Sequence, residues 1–240
     1  MSTFHLVITA KGGVGKSWVA AALANYCHHL PEPLYCADTD PSNQTFSGIK
    51  YFNAQHINIM TQDKGIDRSQ FDTLIDKLLS HDGNCVVDNG SSSFLPILAY
   101  MMENQVVQFL QEEGHKVYIH VVVVGGAGLN ETMAGVEMLL ANQPAKLVVW
   151  LNEYYDGPVT KNGKTFEESE VYLRNEERFA GVIHIPQRSH DTYGKDLSAM
   201  SVAKLSFTEA IASPKFQTMP RQRLKTVYTH ISGQLAQIEF

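Results

Sequence analysis

Short apolar runs rich in β-branched residues alternate along the chain with longer segments of helical period. The runs are Phe4 to Thr9, Leu34 to Asp38, His56 to Met60, Cys85 to Asp88, Lys116 to Val124, Lys146 to Asn152 and Gly181 to Pro186. Stretches such as VYIHVVVV are continuously apolar, the pattern of strands covered on both faces. Helices are expected over Lys16 to His29, Asp67 to Leu79, Leu95 to Glu113 and Asn130 to Asn142. This order predicts a three-layer α/β fold with a doubly wound, mostly parallel sheet, whose ligand site lies at the carboxyl ends of the strands. One domain over 1–240 is expected, with a helical segment 192–240 packed on it. Leu224, Val227, Tyr228, Ile231, Leu235 and Ile238 give that segment one apolar face. The loop from Tyr154 to Thr165, containing Asp156, Gly157, Pro158, Asn162 and Gly163, reads as an excursion and not as a domain boundary.

Composition narrows the class. The 240 residues are 44% hydrophobic and 18% charged, with a formal net charge of -6, which disfavours a general nucleic-acid surface because such surfaces need clustered Lys and Arg. Cys27, Cys36 and Cys85 form no CxxC pair and suggest neither a disulfide framework nor a zinc knuckle, so a reduced, cytoplasmic protein is expected. No window has the apolar length of a membrane span, and no secretory leader pattern is visible.

The strongest chemical signal is LVITAKGGVGKSWVAAALA, an apolar strand followed by a glycine-rich turn and an alanine-rich helix. Gly12, Gly13 and Gly15 allow backbone angles that let successive amides, Val14 among them, ring a phosphate. The helix beginning at Lys16, with Trp18 in its first turn, adds its N-terminal amides. Lys16 can reach the terminal phosphates and the Ser17 hydroxyl can hold magnesium. Carboxylates are then expected at neighbouring strand ends. The second run ends in ADTDPSNQ, placing Asp38 and Asp40 on one side of an extended chain, and NCVVDNGSSSF ends a further run at Asp88, a candidate magnesium ligand. Gly90 to Ser93 follows as a segment able to respond to the terminal phosphate. KLVVWLN ends at Asn152, whose amide can serve either adenine or guanine, and GVIHIPQR ends at Pro186 with Arg188 close behind.

A strict phosphate-loop pattern would have glycine at position 10, where this chain has Ala10 and then Lys11. KGGVGKS resembles the deviant Walker A loop of ParA- and MinD-type ATPases. That resemblance implies a homodimer sandwiching ATP or ADP, with Lys11 reaching the other subunit's phosphates; cations delivered in trans are worth about 10³ to 10⁵ in rate. It further implies that Asp40 positions water, that Asp38 and Asn43 organise magnesium, water or the dimer face, and that Asn152 and Pro186 flank adenine. Nearly the whole chain also resembles the conjugal transfer protein TraL family of plasmids, through TAKGGVGKS, DTDPSN, FDTLID, VVDNGSSSFLP, FLQEEGHKV, VVWLNEYYDGP, TYGKDLSAM and RQRLK. That match implies a role in plasmid transfer near a type IV secretion apparatus. The activities consistent with it are a slow ATPase switch, a nucleotide-dependent docking module, or positioning of plasmid cargo through nonspecific DNA.

Other features carry plainer expectations. His184 is read as a core residue of its strand, and Glu167, Glu168 and Glu170 as a solvated helix face. The basic cluster Arg221, Arg223 and Lys225 opens the last helix, which either packs on the sheet or makes peripheral contact with membrane, DNA or a secretion component.

Overall fold

The structure, a computed structural model, describes residues 1–240 apart from Ser42, Gln62, Lys64, Tyr155, Asp156 and Asn162. Seven strands, β1 (Ser2–Val7), β2 (Leu34–Asp38), β3 (Gln55–His56), β4 (Gly83–Asp88), β5 (Lys116–Val124), β6 (Lys146–Asn152) and β7 (Phe179–Ile185), form one sheet. Its order is β3-β2-β4-β1-β5-β6-β7, and every pairing within it is parallel. Each parallel connection except that from β2 to β3, which has only a 3-10 turn at Lys50–Phe52, carries an α-helix because the chain must return to the same sheet end. These are α1 (Lys16–Cys27), α2 (Gln70–Leu79), α3 (Phe94–Glu103), α4 (Val106–Glu112), α5 (Leu129–Asn142) and α6 (Glu170–Arg174). The chain closes with α7 (Lys195–Val202), α8 (Phe207–Ala212) and α9 (Thr218–Leu235).

Alternation along the strands divides the core into two layers. On β5, Val117, Ile119, Val121 and Val123 face the layer built with Phe71, Leu74, Ile97, Val107, Val136 and Leu139 of α2 to α5. Tyr118, Val122 and Val124 face the opposite layer, made with Val19 and Leu23 of α1, Met200 of α7, Phe207 of α8, and Leu224, Val227, Ile231 and Leu235 of α9. Both faces are covered, which is why these strands are uninterrupted apolar runs. The second layer also contains two buried histidines. Trp150 Nε1 donates to His120 Nδ1 at 3.0 Å, so the remaining His120 proton sits on Nε2 and is directed to His5 Nδ1, also 3.0 Å away. Burial holds His5 down at about 4 and His120 well below the usual histidine range, so both rings stay neutral and tie β1, β5 and β6 together.

Four local expectations are corrected. His56 to Met60 is mostly not a strand: only Gln55–His56 pairs with β2, while Ile57 and Ile59 still fill the core. The helix expected over Leu95 to Glu113 breaks at Gln105, which takes a left-handed φ of 49° and starts α4 in a new direction. His184 is exposed, because β7 is the sheet edge, and its Nε2 lies 2.9 Å from Glu167 Oε1. Glu167 and Glu168 precede α6, so only Glu170 of that acidic run is helical. In the loop after β6, Asp156 and Asn162 lie outside the described residues. Val159 and Phe166 bury themselves in the first layer, and a Cβ on Gly125 would lie 2.5 Å from the Pro158 carbonyl oxygen, so this excursion rests on the end of β5.

Candidate nucleotide site

The carboxyl ends of β1, β2 and β4 are drawn together by backbone and amide bonds. Asn89 donates from its backbone and its side chain to Val7 O at 3.2 and 3.3 Å, while Thr39 Oγ1 donates to Asn89 Oδ1 at 2.8 Å. The loop after β1 rises from this platform. Gly13 and Gly15 adopt φ of 75° and 97°, left-handed conformations that a side chain would strain, and Gly15 leads directly into α1. Gly12 passes so close to the next strand's loop that a Cβ there would lie 3.3 Å from Ser91 Oγ.

Lys16 is buried, and its ammonium donates to the Lys11 carbonyl at 2.9 Å. Burial pulls its pKa below the usual lysine range, opposed by the charges of Asp88 and Asp40. Asp88, at the tip of β4, is buried with both carboxylate oxygens lacking a hydrogen-bond partner among the described residues; the Ser17 hydroxyl lies beside it without bonding geometry. Burial raises the Asp88 pKa to about 7, opposed by Ser17, reinforced by Asp38, opposed by Lys16 and reinforced by Asp40. A buried carboxylate with no donor is costly in isolation. It fits a divalent cation, because magnesium prefers one or two protein oxygens with water and phosphate completing its shell. No group of three or more acidic, His or Cys side chains arranged for a metal exists among the described residues.

The other carboxylates are arranged differently. Both Asp38 oxygens accept backbone N–H groups, from Asp40 at 3.0 Å and Ser47 at 2.8 Å, shaping the loop after β2. Asp40 Oδ1 accepts from Asn43 N at 3.1 Å, and a Cβ on Gly90 would lie 2.9 Å from that same oxygen. The loops after β2 and β4 therefore meet over a glycine.

Beside the phosphate loop lies a cavity of about 330 Å³, lined at one end by Gly15, Trp18 and Asn152. Asn152 Nδ2 donates to Val14 O at 2.9 Å and Oδ1 accepts from Tyr154 N at 3.1 Å, so its amide braces the loop while forming the cavity wall. Ile185 and Pro186 form another side, with the Arg188 guanidinium 4.9 Å from the Tyr193 ring centroid. Most of the rest comes from Leu197, Ser198 and Ser201 of α7 and Val227, His230 and Ile231 of α9. These C-terminal wall residues carry no local motif, since helical period alone explains why they are apolar on one side. Lys11 points away from its own loop, with Nζ donating to Glu131 Oε2 of α5 at 2.8 Å.

Over 237 aligned residues the chain is 41% identical to one Protein TraL of Escherichia coli, with 98% of this chain and 98% of the relative covered; a second Protein TraL of that organism is 42% identical over the same shares. The chain belongs to the TraL family. No protein-family model matches it. Among solved structures, the MinD cell division protein of Aquifex aeolicus aligns over 100% of this chain and 99% of its own, with TM-score 0.54 and 12% identity. The MinC:MinD cell division protein complex of that organism aligns over 100% and 98%, with TM-score 0.55 and 11% identity. This TraL-family chain thus has the α/β P-loop fold of MinD, with its sheet wholly parallel. No helix among the described residues is long and apolar enough to cross a membrane.

Proposed function

We propose that this TraL-family protein is a magnesium-dependent ATPase switch of plasmid conjugal transfer, working in the cytoplasm beside a type IV secretion apparatus. One observation carries the reading: the unpartnered, buried Asp88 carboxylate stands beside Ser17 and Lys16 at the foot of a loop whose glycines present amides to an anion. Lys16 exchanges the Lys11 carbonyl for the terminal phosphates of ATP. Ser17 and Asp88 are the groups that would hold magnesium, which when bound neutralises phosphate charge and acts as a Lewis acid. Asp38 is assigned the shaping of the loop after β2, since both its oxygens already hold backbone. Asp40, at that loop's contact with Gly90, is assigned to orient the attacking water. Adenine is placed in the cavity against Pro186 and Trp18, with Asn152 offering its second N–H.

Two copies then close on their nucleotides, and Lys11 of each reaches the phosphates of the other. Slow hydrolysis resets the pair, because a nucleotide shifts a conformational equilibrium only through its differential affinity for the two states. The packing of α9 through Leu224, Val227, Ile231 and Leu235 supports a structural role for its apolar face over membrane contact.

Sedimentation without nucleotide, with ADP and with a nonhydrolysable ATP analogue, run beside phosphate release, tests the proposal. An ATP-dependent dimer and slow release lost in Asp40→Ala are expected. Equal release by wild type and Asp40→Ala removes Asp40 from the chemistry. A dimer with no release at all replaces the enzyme by a nucleotide-dependent docking module. ATP-dependent binding to nonspecific DNA that falls steeply with salt would favour plasmid positioning.

A further inference from the structure

We propose that Glu131 is a positioning residue that holds Lys11 against its own subunit and thereby sets how readily two copies close on ATP, an inference that rests on the dimer reading above. The contact joins residues 120 apart in sequence: Lys11 Nζ donates to Glu131 Oε2 at 2.8 Å. The lysine stem has a fitted path, since a Cβ on Gly128 would lie 3.1 Å from Lys11 Cε and 3.3 Å from Cδ. Gly128 thus leaves room for the stem between the tip of β5 and the first turn of α5. Glu131 stands in that first turn, where the helix amides favour its negative charge independently of Lys11.

A side chain laid across Gly128 onto Glu131 cannot also extend out of the subunit. Release must therefore precede any delivery of Lys11 to a second copy. The side chains are 33% and 54% exposed, so the pair is of the exposed class, whose strength corresponds to about 1.4- to 5-fold in an equilibrium. A symmetric dimer must open two such contacts, which compounds to about 2- to 25-fold in the dimerisation constant. The contact is a threshold and not a block, and it weakens with salt as the ions screen it.

The test compares wild type, Glu131→Gln and, as a charge-matched control on the same helix, Glu137→Gln. Sedimentation with magnesium and a nonhydrolysable ATP analogue reads dimerisation. Acetic anhydride labelling of nucleotide-free protein, read by mass spectrometry as the Lys11 rate relative to Lys146, reads the contact without any dimer. Glu131→Gln is expected to tighten the dimer about 2- to 25-fold and to speed Lys11 labelling about 1.4- to 5-fold, and Glu137→Gln to change neither. Unchanged Lys11 labelling in Glu131→Gln overturns the contact. Faster labelling with an unchanged or weaker dimer overturns its role as a threshold. A wild type that stays monomeric at every concentration overturns the dimer reading itself, and this threshold with it, whatever the labelling shows.

Discussion

The two ends of the candidate site are built on opposite plans. The phosphate end is polar and local, with Lys11 to Ser17, Asp38 to Asp40 and Asp88 to Asn89 each lying in a contiguous segment at a strand tip, the last two joined by Thr39 N donating to Asp88 O at 2.9 Å. The base end is apolar and dispersed, assembled from α1, β6, β7, α7 and α9, whose contributions run from Gly15 to Ile231. A small anion is held by oriented dipoles that a short loop can supply, whereas a flat base needs walls on several sides. On the proposed reading, tripolyphosphate and ATP would separate the two ends experimentally, since both would use the first and only ATP the second.

The largest effect is expected at the phosphate end. Lys16→Ala should lower phosphate release by at least about 10²-fold, in line with losing a preorganised charge on the transferring group, and should weaken tripolyphosphate and ATP alike, as titration calorimetry would show. Asp88→Asn comes next. Its carboxyl pKa is raised to about 7, so proton loss opposes folding in the nucleotide-free protein: that stability is present at low pH and lost as pH climbs toward and through about 7. The variant should therefore unfold at higher temperature than wild type at pH 8, by an amount on the order of 2–4 kcal/mol, with the gain shrinking at pH 5.5. Its magnesium-dependent nucleotide affinity should fall as well, while the wild-type affinity should rise with pH from 6 to 8 as the metal ceases to compete with a proton.

At the base end, Ile231→Ala should cost about 2–4 kcal/mol of stability by emptying a buried position and should weaken ATP while sparing tripolyphosphate at temperatures where the variant remains folded. Equal weakening of both ligands would show that the two ends do not separate. Asn152→Ala probes the seam. Loss of its bond to Val14 O should weaken both ligands by about tenfold, the scale of one buried hydrogen bond, and any extra loss for ATP measures the contact to the base.

The same contrast explains what could be read from the sequence. Six of the seven strands and the glycine turn were legible because strand period and turn chemistry are local, whereas β3 was legible only in part, and Asp88 stood out at the end of its apolar run only because the glycine turn lay upstream. The cavity walls from α7 and α9 were not, because Leu197, Val227 and Ile231 look like any helical core residues until the chain has folded. Glu131 was hidden for a similar reason: an acid in a helix's first turn is explained by that helix alone, and nothing near it announces Lys11. His184 misled because an apolar strand reads alike at the centre and at the edge of a sheet. The break at Gln105 had no glycine or proline to mark it.

The position of β1 has a consequence for how the protein comes to exist. Ser2–Val7 sits at the middle of the sheet, yet its two neighbours are Gly83–Asp88 and Lys116–Val124. On a ribosome this apolar strand must wait for more than a hundred residues before both its edges are covered, and the glycine turn hanging from it has no platform until β4 and Asn89 have been made. Parallel pairings at such separations close large loops before any contact repays them, which slows folding and leaves sticky intermediates. Folding yield, and the help of chaperones during synthesis, should therefore respond to changes in β4 and β5 more sharply than to changes in the glycine turn itself.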